Sequence, residues 1–382
     1  MKILEVTSVD YALWHFVMPV MRAMRAAGHE AIGVAAEGPH FAEARAEGFR
    51  IHAAPMARSL SPLAQARAFW ALYRLIRAEK PDLVHGHMPI SGVLARFAAR
   101  LAGVPRIAYT CHGFLFNQPG PLWRRGLALA LEWLGGRVTD IYFTVSREEA
   151  DDARRLGIAR APIAIGNGRD PARFRPNPAA RARIRAELGV PEARVVVIIV
   201  SRLVRHKGHP ELLAAMRSVP EAELWVVGDR LASDHGPDLE PFFVQAGLGA
   251  RLRRLGYRAD IADLLASADI FALPSHFEGL PMSVIEAMLT GLPVVATDIR
   301  GPREQVVPEE TGLLVPPMAV APLAAALARL AHDPALRACM GEAARARAVA
   351  LYDEAKVIAR TLEHLGLAVY PACHPERIGD PP

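Results

Sequence analysis

The sequence predicts an α/β protein made of two doubly wound parallel-sheet domains that face a cleft. Strand-like runs alternate with amphipathic helical patterns, as in βαβ units. The alternation breaks at 162–180, where Gly, Pro and Asn are frequent, and then restarts. The length of 382 residues also exceeds that of one average domain. Because ligands of such sheets bind beyond the carboxyl ends of the strands, we expect the site in the cleft.

The first half contains six predicted strands, each apolar or β-branched and bounded by turn-forming residues. They are KILEVTSV, EAIGVAA, RIHAAP, DLVHGHM, RIAYTCH and DIYFTVS. Apolar residues at helical spacing predict the intervening helices. These helices lie at about 15–27, 61–79, 90–102, 123–134 and 147–156. Gly28 is expected to close the first of them.

The second half repeats the alternation. Its predicted strands are VVVIIVSRL, ELWVVGD, LRRLGYR, IFALPS, LPVVATD and TGLLVPP. Its predicted helices are ELLAAMRSV, IADLLASA, PMSVIEAMLTG and three more at about 320–332, 334–350 and 353–366. We divide the chain into domains 1–172 and 173–350, followed by a C-terminal helix at 351–370 that can cross back to the first domain. A disordered tail is expected at 371–382.

Charge is distributed unevenly along the chain. Residues 1–190 hold 26 Lys and Arg against 16 Asp and Glu, a net charge of +10, and residues 191–382 have a net charge of −5. A basic half indicates an anionic partner, such as an anionic membrane surface or a phosphate-bearing substrate. Arginine enrichment in a GC-rich genome explains the same counts, and this alternative stays open. Since no known nucleic-acid-binding motif occurs, we expect no nucleic-acid partner.

Several motifs that would indicate a cofactor are missing from the sequence. There is no G-x-G-x-x-G after the first strand, no P-loop, no H-E-x-x-H and no D-x-D. Three scattered cysteines are too few for a disulfide framework or a zinc site, which fits a reducing cytoplasm. Neither a signal peptide nor an uncharged apolar run of spanning length is found. We therefore expect no cofactor, no metal and a cytoplasmic location.

Two glutamates flank a strand-to-helix turn in HFEGLPMSVIEAM, at 276–288. Glu278 follows a buried strand, and Glu286 lies further along, inside the next helix. Pro281 suits the first helical position, so the backbone N–H groups at 279–282 are expected to form an anion site. A carboxylate can accept both hydroxyls of a vicinal diol. A diphosphate at the helix start, a ribose at Glu286 and a sugar at Glu278 together describe a nucleotide sugar.

Five stretches carry a family resemblance. The pattern E-x7-E within PSHFEGLPMSVIEAMLTGLPVVATDIRGPREQV resembles the signature of glycosyltransferase family 4, whose members have the GT-B fold. SRLVRHKGHPELLAAM and GNGRDPARFRP resemble its Arg-x4-Lys-Gly segment and its Asn-Gly-x-Asp linker. YTCHGF resembles its Thr-x-His-Gly turn, and GYRADIADLLASADIFALPS its base-binding loop and strand. The resemblance implies two Rossmann-like domains, the first binding an acceptor and the second a nucleotide sugar.

The resemblance also implies roles for matching residues. Arg202 and Lys207 would hold the donor diphosphate and stabilise the leaving group in place of a metal. Glu286 would bind the ribose, and Glu278 would bind hydroxyls of the donor sugar. His112 would lie across the cleft, near the donor sugar and the acceptor. Family members retain the anomeric configuration, and a front-face mechanism is favoured, in which the departing phosphate helps to deprotonate the acceptor.

Further donor contacts are implied around the same turn. Tyr257 and Arg258 would lie beside the base. Backbone groups of four residues would touch phosphate or sugar: Gly279, Leu280, Pro281 and Met282.

Structural roles stay open for some of these residues. Arg202 and Lys207 could belong to a solvated loop, although two cations directly after a buried strand and beside a glycine favour binding. A histidine at a strand end, such as His112, is often structural. His85 and His87 alternate on one strand and face one way, which is more typical of core or rim histidines.

The loop after the first strand departs from the common family pattern. Many members carry a Gly-Gly pair there, whereas Asp10 to Trp14 contains no glycine. The sequence TSVDYALWHFVMPVMRAM and the later HGFLFN are instead similar to a subgroup that acts on polyprenyl-diphosphate-linked sugars. Asp10 and His15 then become candidates for acceptor recognition, with Asp10 also a candidate base. A helix N-cap explains Asp10 equally well.

A membrane contact is predicted at 117–136, NQPGPLWRRGLALALEWLGG. Trp123, Arg124 and Arg125 precede an apolar stretch, a pattern that suits a helix lying on an anionic bilayer. An ordinary core helix with one basic end is the alternative.

The sequence as a whole predicts a retaining glycosyltransferase. It would move a hexose or N-acetylhexosamine from a nucleotide sugar, most simply UDP-linked, to a lipid-linked or saccharide acceptor in surface polysaccharide synthesis. Two alternatives stay open: a UDP-sugar epimerase of the same architecture, and a catalytically idle nucleotide-sugar-binding scaffold of a polysaccharide-assembly complex.

Overall fold

The computed structural model of the chain describes residues 1–56, 61–230, 234 and 236–367. The predicted tail at 371–382 lies outside the described residues. Two parallel sheets are present, one in each half of the chain, so the predicted α/β class with two doubly wound sheets is confirmed.

The first sheet has seven strands in the order β3-β2-β1-β4-β5-β6-β7. The strands are β1 (Lys2–Val9), β2 (Glu30–Ala36), β3 (Arg50–Ala53), β4 (Leu83–His87), β5 (Arg106–Cys111), β6 (Ile141–Thr144) and β7 (Ile163–Ala164). All neighbouring pairs are parallel. The order reverses between β1 and β4, so the loops that leave these two strands open a crevice at the sheet edge.

Helices cover both faces of this sheet. They are α1 (Asp10–Ala12), α2 (Met18–Ala26), α3 (His40–Ala46), α4 (Pro62–Glu79), α5 (Pro89–Ala102), α6 (Leu122–Gly136) and α7 (Arg147–Arg155). The predicted helix at 15–27 is shorter than expected, because Leu13–Val17 forms a π-helical turn before α2 begins. The short helix α3 was not predicted.

The second sheet has six strands in the order β10-β9-β8-β11-β12-β13. They are β8 (Val195–Val200), β9 (Ala222–Val227), β10 (Leu252–Gly256), β11 (Ile270–Leu273), β12 (Val294–Thr297) and β13 (Gly312–Val315). Apolar runs such as VVVIIV follow from burial on both faces of a parallel sheet. Here the order reverses between β8 and β11, which places a second crevice beyond these strands.

Nine helices among the described residues accompany this sheet or follow it. They are α8 (Pro178–Glu187), α9 (His209–Ala215), α10 (Glu240–Gln245), α11 (Ile261–Ser267), α12 (Met282–Leu289), α13 (Pro302–Gln305), α14 (Val320–His332), α15 (Pro334–Leu351) and α16 (Glu354–His364). The last helix, α16, packs on the first domain, where Leu362 and Leu365 join the core around Met18 and Met21.

The predicted linker at 162–180 is wrong in part. It contains the two-residue strand β7 and the start of α8, which Asn177 caps by accepting a hydrogen bond from the Ala180 N–H at 3.1 Å. A strand of two residues is too short for periodicity to reveal it. The sequence of α8, PAARARIRAE, has few apolar residues to mark a face. The predicted division after residue 172 falls between the two sheets and stays a prediction.

Candidate functional site

The crevice of the second sheet contains a lysine–glutamate pair. Lys207 Nζ lies 2.6 Å from Glu278 Oε1, and Ser275 Oγ donates to the same oxygen at 2.7 Å. The two loops meet because β8 and β11, which they follow, are neighbours in the sheet. Gly208 makes this approach possible, since a Cβ there would lie 2.0 Å from the Pro274 carbonyl oxygen. The pair therefore combines a cation and a carboxylate at one point of the crevice.

The same two loops are held together by their neighbouring residues. The His276 N–H donates to the His206 carbonyl at 2.7 Å, and the His206 ring stacks on Phe277 with centroids 4.4 Å apart. Burial, followed by the charge of Lys207, lowers the pKa of His206 to about 4. The ring is thus neutral at pH 7, and the pair of loops forms a rigid platform for Lys207.

Arg202 and Lys207 have different carboxylate partners in this structure. Its guanidinium is paired with Asp234, whereas Lys207 is paired with Glu278. Both cations predicted to hold a diphosphate are therefore already neutralised by carboxylates. An incoming phosphate would have to take the place of the carboxylate at one or both of them.

Glu286, predicted to bind a ribose, is buried and paired. Arg169 Nε donates to Glu286 Oε1 at 2.7 Å, and Arg169 Nη1 donates to the His15 carbonyl of the first domain at 3.2 Å. The role of Arg169 as the partner of Glu286 was not predicted from the sequence. A signal was present, since a half-buried carboxylate needs a partner and GNGRDP lies in the segment that connects the domains. The salt bridge orients one face of the Glu286 carboxylate and joins the two halves of the molecule.

The turn after β5 meets the Glu278 loop across the cleft. A Cβ on Gly279 would lie 2.9 Å from the His112 carbonyl oxygen, and a Cβ on Gly113 would lie 3.7 Å from Gly279 Cα. Gly113 also has a φ of 121°, which disfavours other residues. Two glycines thus allow backbone contact between the domains, and the contact brings His112 to the loop that contains Glu278.

A chain of hydrogen bonds begins at His112 and runs into the first sheet. His112 Nε2 lies 3.3 Å from His87 Nδ1, and His87 Nε2 lies 2.6 Å from Glu5 Oε2. The other oxygen of Glu5 lies 3.1 Å from His85 Nδ1, whose Nε2 lies 2.8 Å from Thr110 Oγ1. His85 and His87 are buried, as expected for core histidines, and Glu5 is buried with them. The cluster is connected to the candidate site through His112.

A second buried carboxyl lies behind the His112–Gly113 turn. Glu149 is at the start of α7, where its N–H donates to Ser146 Oγ at 3.2 Å in a capping arrangement. Burial raises the pKa of Glu149 to about 8, with the hydrogen bonds from Ser146 and the Phe114 N–H opposing the rise. The side chain is therefore largely protonated at pH 7.

Asp10 and His15, the candidates for acceptor recognition, both make contacts within the first domain. Asp10 Oδ2 accepts the His40 N–H at 3.3 Å, and a Cβ on Gly38 would overlap the Asp10 carboxylate. Asp10 therefore stabilises the start of α3 and is not the side-chain cap of its own helix. His15 packs its ring between Tyr11 and His40, at centroid distances of 4.2 and 5.2 Å. Burial, then the His40 charge, lowers the pKa of His15 to about 4.

Tyr11 is a further residue that the sequence did not indicate. Burial raises the pKa of its hydroxyl, and the charges of Tyr257 and Glu286 act in the same direction. Tyr11 therefore belongs to the first domain but lies within electrostatic reach of the predicted ribose and base positions. It lies in the glycine-free stretch Asp10 to Trp14 that follows β1.

The side chains of the two predicted base-binding residues have different environments in the structure. Tyr257 is 63% exposed, and its N–H donates to Asp229 Oδ2 at 2.8 Å. Arg258 binds both oxygens of Asp260 at 2.7 Å and reaches Glu187 of α8 at 3.2 Å. Tyr257 thus offers an exposed ring for stacking, whereas the guanidinium of Arg258 is held by carboxylates of its own domain.

The turn before α12 is held by side chains from elsewhere. Pro281, predicted as the first helical residue, is wrong by one position: its ψ of 124° is extended, and α12 begins at Met282. Gln305 Nε2 donates to the Pro281 carbonyl at 3.0 Å, which fixes this extended turn. Asn167 Nδ2 donates to the carbonyl of the buried Leu280 at 2.8 Å.

The predicted membrane helix, α6, has a buried polar anchor and an exposed apolar side. Glu132 is buried and binds Arg96 Nη2, Tyr109 Oη and Tyr142 Oη at 3.1, 2.9 and 3.0 Å. Large apolar side chains of the same helix are exposed, with Leu122 at 80% and Trp123 at 66%. The others are Leu127, Leu131, Trp133 and Leu134. Within the described part of the chain, no helix has the length and apolar character needed to cross a bilayer.

Both halves of the chain match known protein families. Residues 15–173 match glycosyltransferase family 4, and residues 180–347 match the glycosyl transferases group 1. These matches and the two-sheet architecture define a GT-B glycosyltransferase, an enzyme class. The chain belongs to the family 4 glycosyltransferases, and the resemblance seen in the sequence is confirmed.

Relatives cover most or all of the chain. The putative glycosyltransferase EpsD of Bacillus subtilis (strain 168) is 31% identical over 375 residues, or 95% of each chain. The UDP-Gal:alpha-D-GlcNAc-diphosphoundecaprenol alpha-1,3-galactosyltransferase of Escherichia coli is 30% identical over 293 residues, or 74% of each chain. A GDP-mannose-dependent alpha-mannosyltransferase of Mycobacterium tuberculosis (strain CDC 1551 / Oshkosh) is 30% identical over 78% of this chain and 79% of its own.

Solved structures support the fold. Anabaena HepE in complex with UDP superposes with a TM-score of 0.81 at 23% identity, covering 96% of this chain and 100% of HepE. A sucrose-phosphate synthase from Thermosynechococcus elongatus has a TM-score of 0.83 at 22% identity, covering 96% and 98% of the two chains. The predicted GT-B fold is thereby confirmed.

Proposed function

We propose that this glycosyltransferase moves a hexose or N-acetylhexosamine from a UDP-sugar to a lipid-linked saccharide, with retention of anomeric configuration and without a metal. One observation carries the proposal. The Lys207–Glu278 pair, at 2.6 Å, lies in the crevice of the second sheet and faces the His112–Gly113 turn of the first domain. A donor bound there has its sugar between the domains, where an acceptor can reach it.

The charges around the pair suit a departing nucleoside diphosphate. Lys207 supplies positive charge to the leaving phosphate once the donor displaces it from Glu278, and Arg202 does the same once released from Asp234. Glu278 then accepts donor-sugar hydroxyls, because a carboxylate left without its lysine needs new donors. These two cations provide the neutralisation that a metal supplies in other transferases.

Four residues are proposed to recognise the nucleoside. Arg169 occupies one oxygen of Glu286 and leaves the carboxylate oriented for a ribose hydroxyl. The exposed ring of Tyr257 offers a stacking face for the base, and Tyr11 closes this region from the first domain. UDP is proposed because the E. coli relative is named for a UDP-Gal donor and HepE binds UDP. GDP-linked donors of the mycobacterial relatives make GDP the competing choice.

The acceptor is proposed to be lipid-linked because of α6. Its exposed leucines and tryptophans, with Arg124 and Arg125 beside them, suit docking to an anionic bilayer on the cytoplasmic side. An apolar groove of about 410 Å³, lined by Ile90, Leu94 and Leu131 among others, lies between α5 and α6. Two of its lining residues, Pro89 and Leu115, follow His87 and His112 closely in the sequence, and the groove is proposed to bind the hydrocarbon chain of the acceptor. The E. coli relative is named for a diphosphoundecaprenol-linked acceptor.

A donor panel tests the proposal. Purified protein is incubated with UDP-, GDP- and ADP-sugars, with and without a polyprenyl-diphosphate sugar, in the presence of EDTA. Nucleotide release and the mass of the lipid product are followed, and the product anomer is assigned by NMR. Acceptor-dependent release from one UDP-sugar, unaffected by EDTA and giving the donor's anomeric configuration, is the expected result.

Four outcomes would each contradict a different part of the proposal. If only a GDP-sugar is turned over, the proposed UDP donor is wrong. If EDTA abolishes turnover, the proposed metal-free mechanism is wrong. Conversion of the sugar nucleotide without an acceptor indicates an epimerase. Tight UDP binding with no turnover on lipid-linked or soluble saccharides indicates a scaffold. Glu286→Ala serves as the binding-deficient control.

A further inference from the structure

We infer that Glu5 and His87 are positioning residues that fix the tautomer of His112 through a buried hydrogen-bond relay. The relay runs from the Glu5 carboxylate to the His87 ring and from there to the His112 ring, over distances of 2.6 and 3.3 Å. The inference rests on the proposed location of His112 beside the donor sugar. It adds two residues that neither the fold nor the family assignment identifies.

The relay is built into the sheet. Glu5 is in the middle of β1, opposite His85 of β4 in the parallel register, and His87 is two residues further along β4 on the same face. Glu5 is fully buried, and His87 is 6% exposed. A charged residue at the centre of a buried strand is costly unless it is fully hydrogen-bonded. This environment holds the three side chains in one arrangement.

The direction of each hydrogen bond follows from the charge of Glu5. Burial alone would raise its pKa, but the neighbouring His85 and His87 outweigh burial and lower the pKa to about 2. An ionised carboxylate only accepts hydrogen bonds, so His87 must donate from Nε2. Burial lowers the pKa of His87, which keeps the ring neutral, and its Nδ1 is then an acceptor. His112 must therefore donate to it from Nε2.

His112 is therefore left with an unprotonated Nδ1. Burial lowers its pKa to about 3, so the ring is neutral, and the proton is on Nε2. Nδ1 then carries the lone pair and can accept a hydrogen bond from a sugar hydroxyl. His112 also lines a cavity of about 70 Å³ between the domains, together with Arg169 and Met282. The relay thus presents an acceptor nitrogen at the point where the two domains meet.

The second arm of Glu5 supplies a matched control. His85 donates to Glu5 from Nδ1, and its Nε2 lies 2.8 Å from the Thr110 hydroxyl oxygen, without a hydrogen bond to His112. A Thr110→Val substitution removes one buried hydrogen bond of the same cluster and keeps the side-chain shape. It leaves the path from Glu5 through His87 to His112 intact.

Ring-nitrogen NMR of the substrate-free protein is the direct test. Protein labelled with ¹⁵N-histidine is recorded at pH 7.5, and the His112 signals are assigned by their loss in His112→Asn. We expect His112 and His87 to be protonated at Nε2 and bare at Nδ1. In His87→Phe, the His112 tautomers should mix, and kcat on the working donor should fall roughly tenfold to hundredfold with little change in donor KM. In Thr110→Val, both His112 shifts and kcat should stay within about twofold of wild type.

Each contrary result overturns the inference. A proton on His112 Nδ1 instead of Nε2 in the wild-type protein would mean that His112 does not donate to His87 as inferred. An unchanged kcat in His87→Phe shows that the relay serves only folding, and an equal loss of kcat in Thr110→Val leads to the same conclusion. A stoichiometric metal in the purified protein, with His87 Nε2 and His85 Nδ1 both unprotonated, would make this cluster a metal site. Because the NMR needs no substrate, a wrong donor assignment leaves the tautomer result valid.

Discussion

Arg169 and Glu286 join the two domains through a salt bridge of 2.7 Å between residues 117 positions apart in the chain. The same arginine donates to the His15 carbonyl at 3.2 Å, so one guanidinium on the connecting segment contacts both the π-helical turn Leu13–Val17 and α12. A residue proposed to bind ribose therefore depends on a residue outside its own domain.

Removing this arginine should weaken nucleotide binding. In Arg169→Leu, Glu286 is left buried without its cation, and we expect the dissociation constant for UDP to rise roughly tenfold. Isothermal titration calorimetry measures the change. Arg173→Leu, an exposed arginine four residues along the chain, is the control and should bind UDP as the wild type does. Equal affinity in both variants would falsify the role assigned to Arg169.

Loss of Lys207 should affect the chemical step most. Lys207→Met keeps much of the side-chain length but removes the charge proposed to stabilise the leaving phosphate, and we expect kcat to fall by about 10²–10³. The neighbouring Arg205→Ala, whose side chain is 42% exposed and paired with Glu211, should lose less than about threefold. Steady-state kinetics with the active donor compares the two. Similar losses in both variants would assign the effect to the loop and not to the charge of Lys207.

A methyl group at Gly279 should disturb the contact between the domains. The Cβ of Gly279→Ala would lie 2.9 Å from the His112 carbonyl, so the His112–Gly113 turn must move away. We expect kcat to fall roughly tenfold to hundredfold, because small misplacements of reacting groups are costly. Gly126→Ala in α6 meets nothing within 4 Å and should keep full activity. Unchanged kinetics in Gly279→Ala would show that this approach is not needed for catalysis.

The difference in stability between the wild type and a Glu149→Gln variant should depend on pH. Its pKa is about 8 in the folded chain, above the ordinary value of 4.5. A carboxyl with a raised pKa stabilises the fold fully below its unfolded pKa and loses that contribution as the pH rises towards 8. Glu149→Gln mimics the protonated form and removes this loss. Its free energy of unfolding should therefore gain on that of wild type by at most about 1.4 kcal/mol per pH unit between pH 5 and 8.

Urea denaturation at pH 5, 6.5 and 8 measures this difference. A Glu149→Gln difference that stays constant with pH would mean that Glu149 is ionised in the folded protein.

The apolar side of α6 should control membrane binding. Replacing Leu122 and Trp123 by serine removes two exposed apolar side chains, and we expect at least about tenfold weaker binding to phosphatidylglycerol vesicles. Trp70→Ser changes a tryptophan that is 52% exposed on α4 and should have no effect. Vesicle sedimentation measures the binding of each variant to phosphatidylglycerol vesicles and to phosphatidylcholine vesicles. Unaltered sedimentation of the double variant would remove α6 as the docking surface.

Strands and long helices were predictable from the sequence because burial determines their composition. The run VVVIIV of β8 is apolar throughout since both faces of a parallel strand are covered. The helix α6 was predicted almost to its ends, and its exposed apolar side agrees with the pattern noted there. Short elements such as β7 and α3 escaped because a few residues cannot establish a period.

The partners of the site residues were not predictable in the same way. Motif order led to Lys207 and Glu278, but that they form an ion pair depends on β8 and β11 being neighbours in the sheet. Arg169 and Glu5 were missed because their partners are far away in the sequence. Glu5 did leave a sign: a glutamate within the apolar strand KILEVTSV requires polar neighbours, and the H-x-H of β4 could have supplied them.

The return of α16 to the first domain means that the chain crosses between the domains twice. The two crossings are side by side: the Arg169 N–H donates to the Tyr352 carbonyl at 3.0 Å, and the Glu354 N–H donates to the Arg169 carbonyl at 3.1 Å. Backbone hydrogen bonds therefore tie the two crossings to each other. We expect the domains to move relative to one another by bending at this paired connection, because sliding along it would break both bonds.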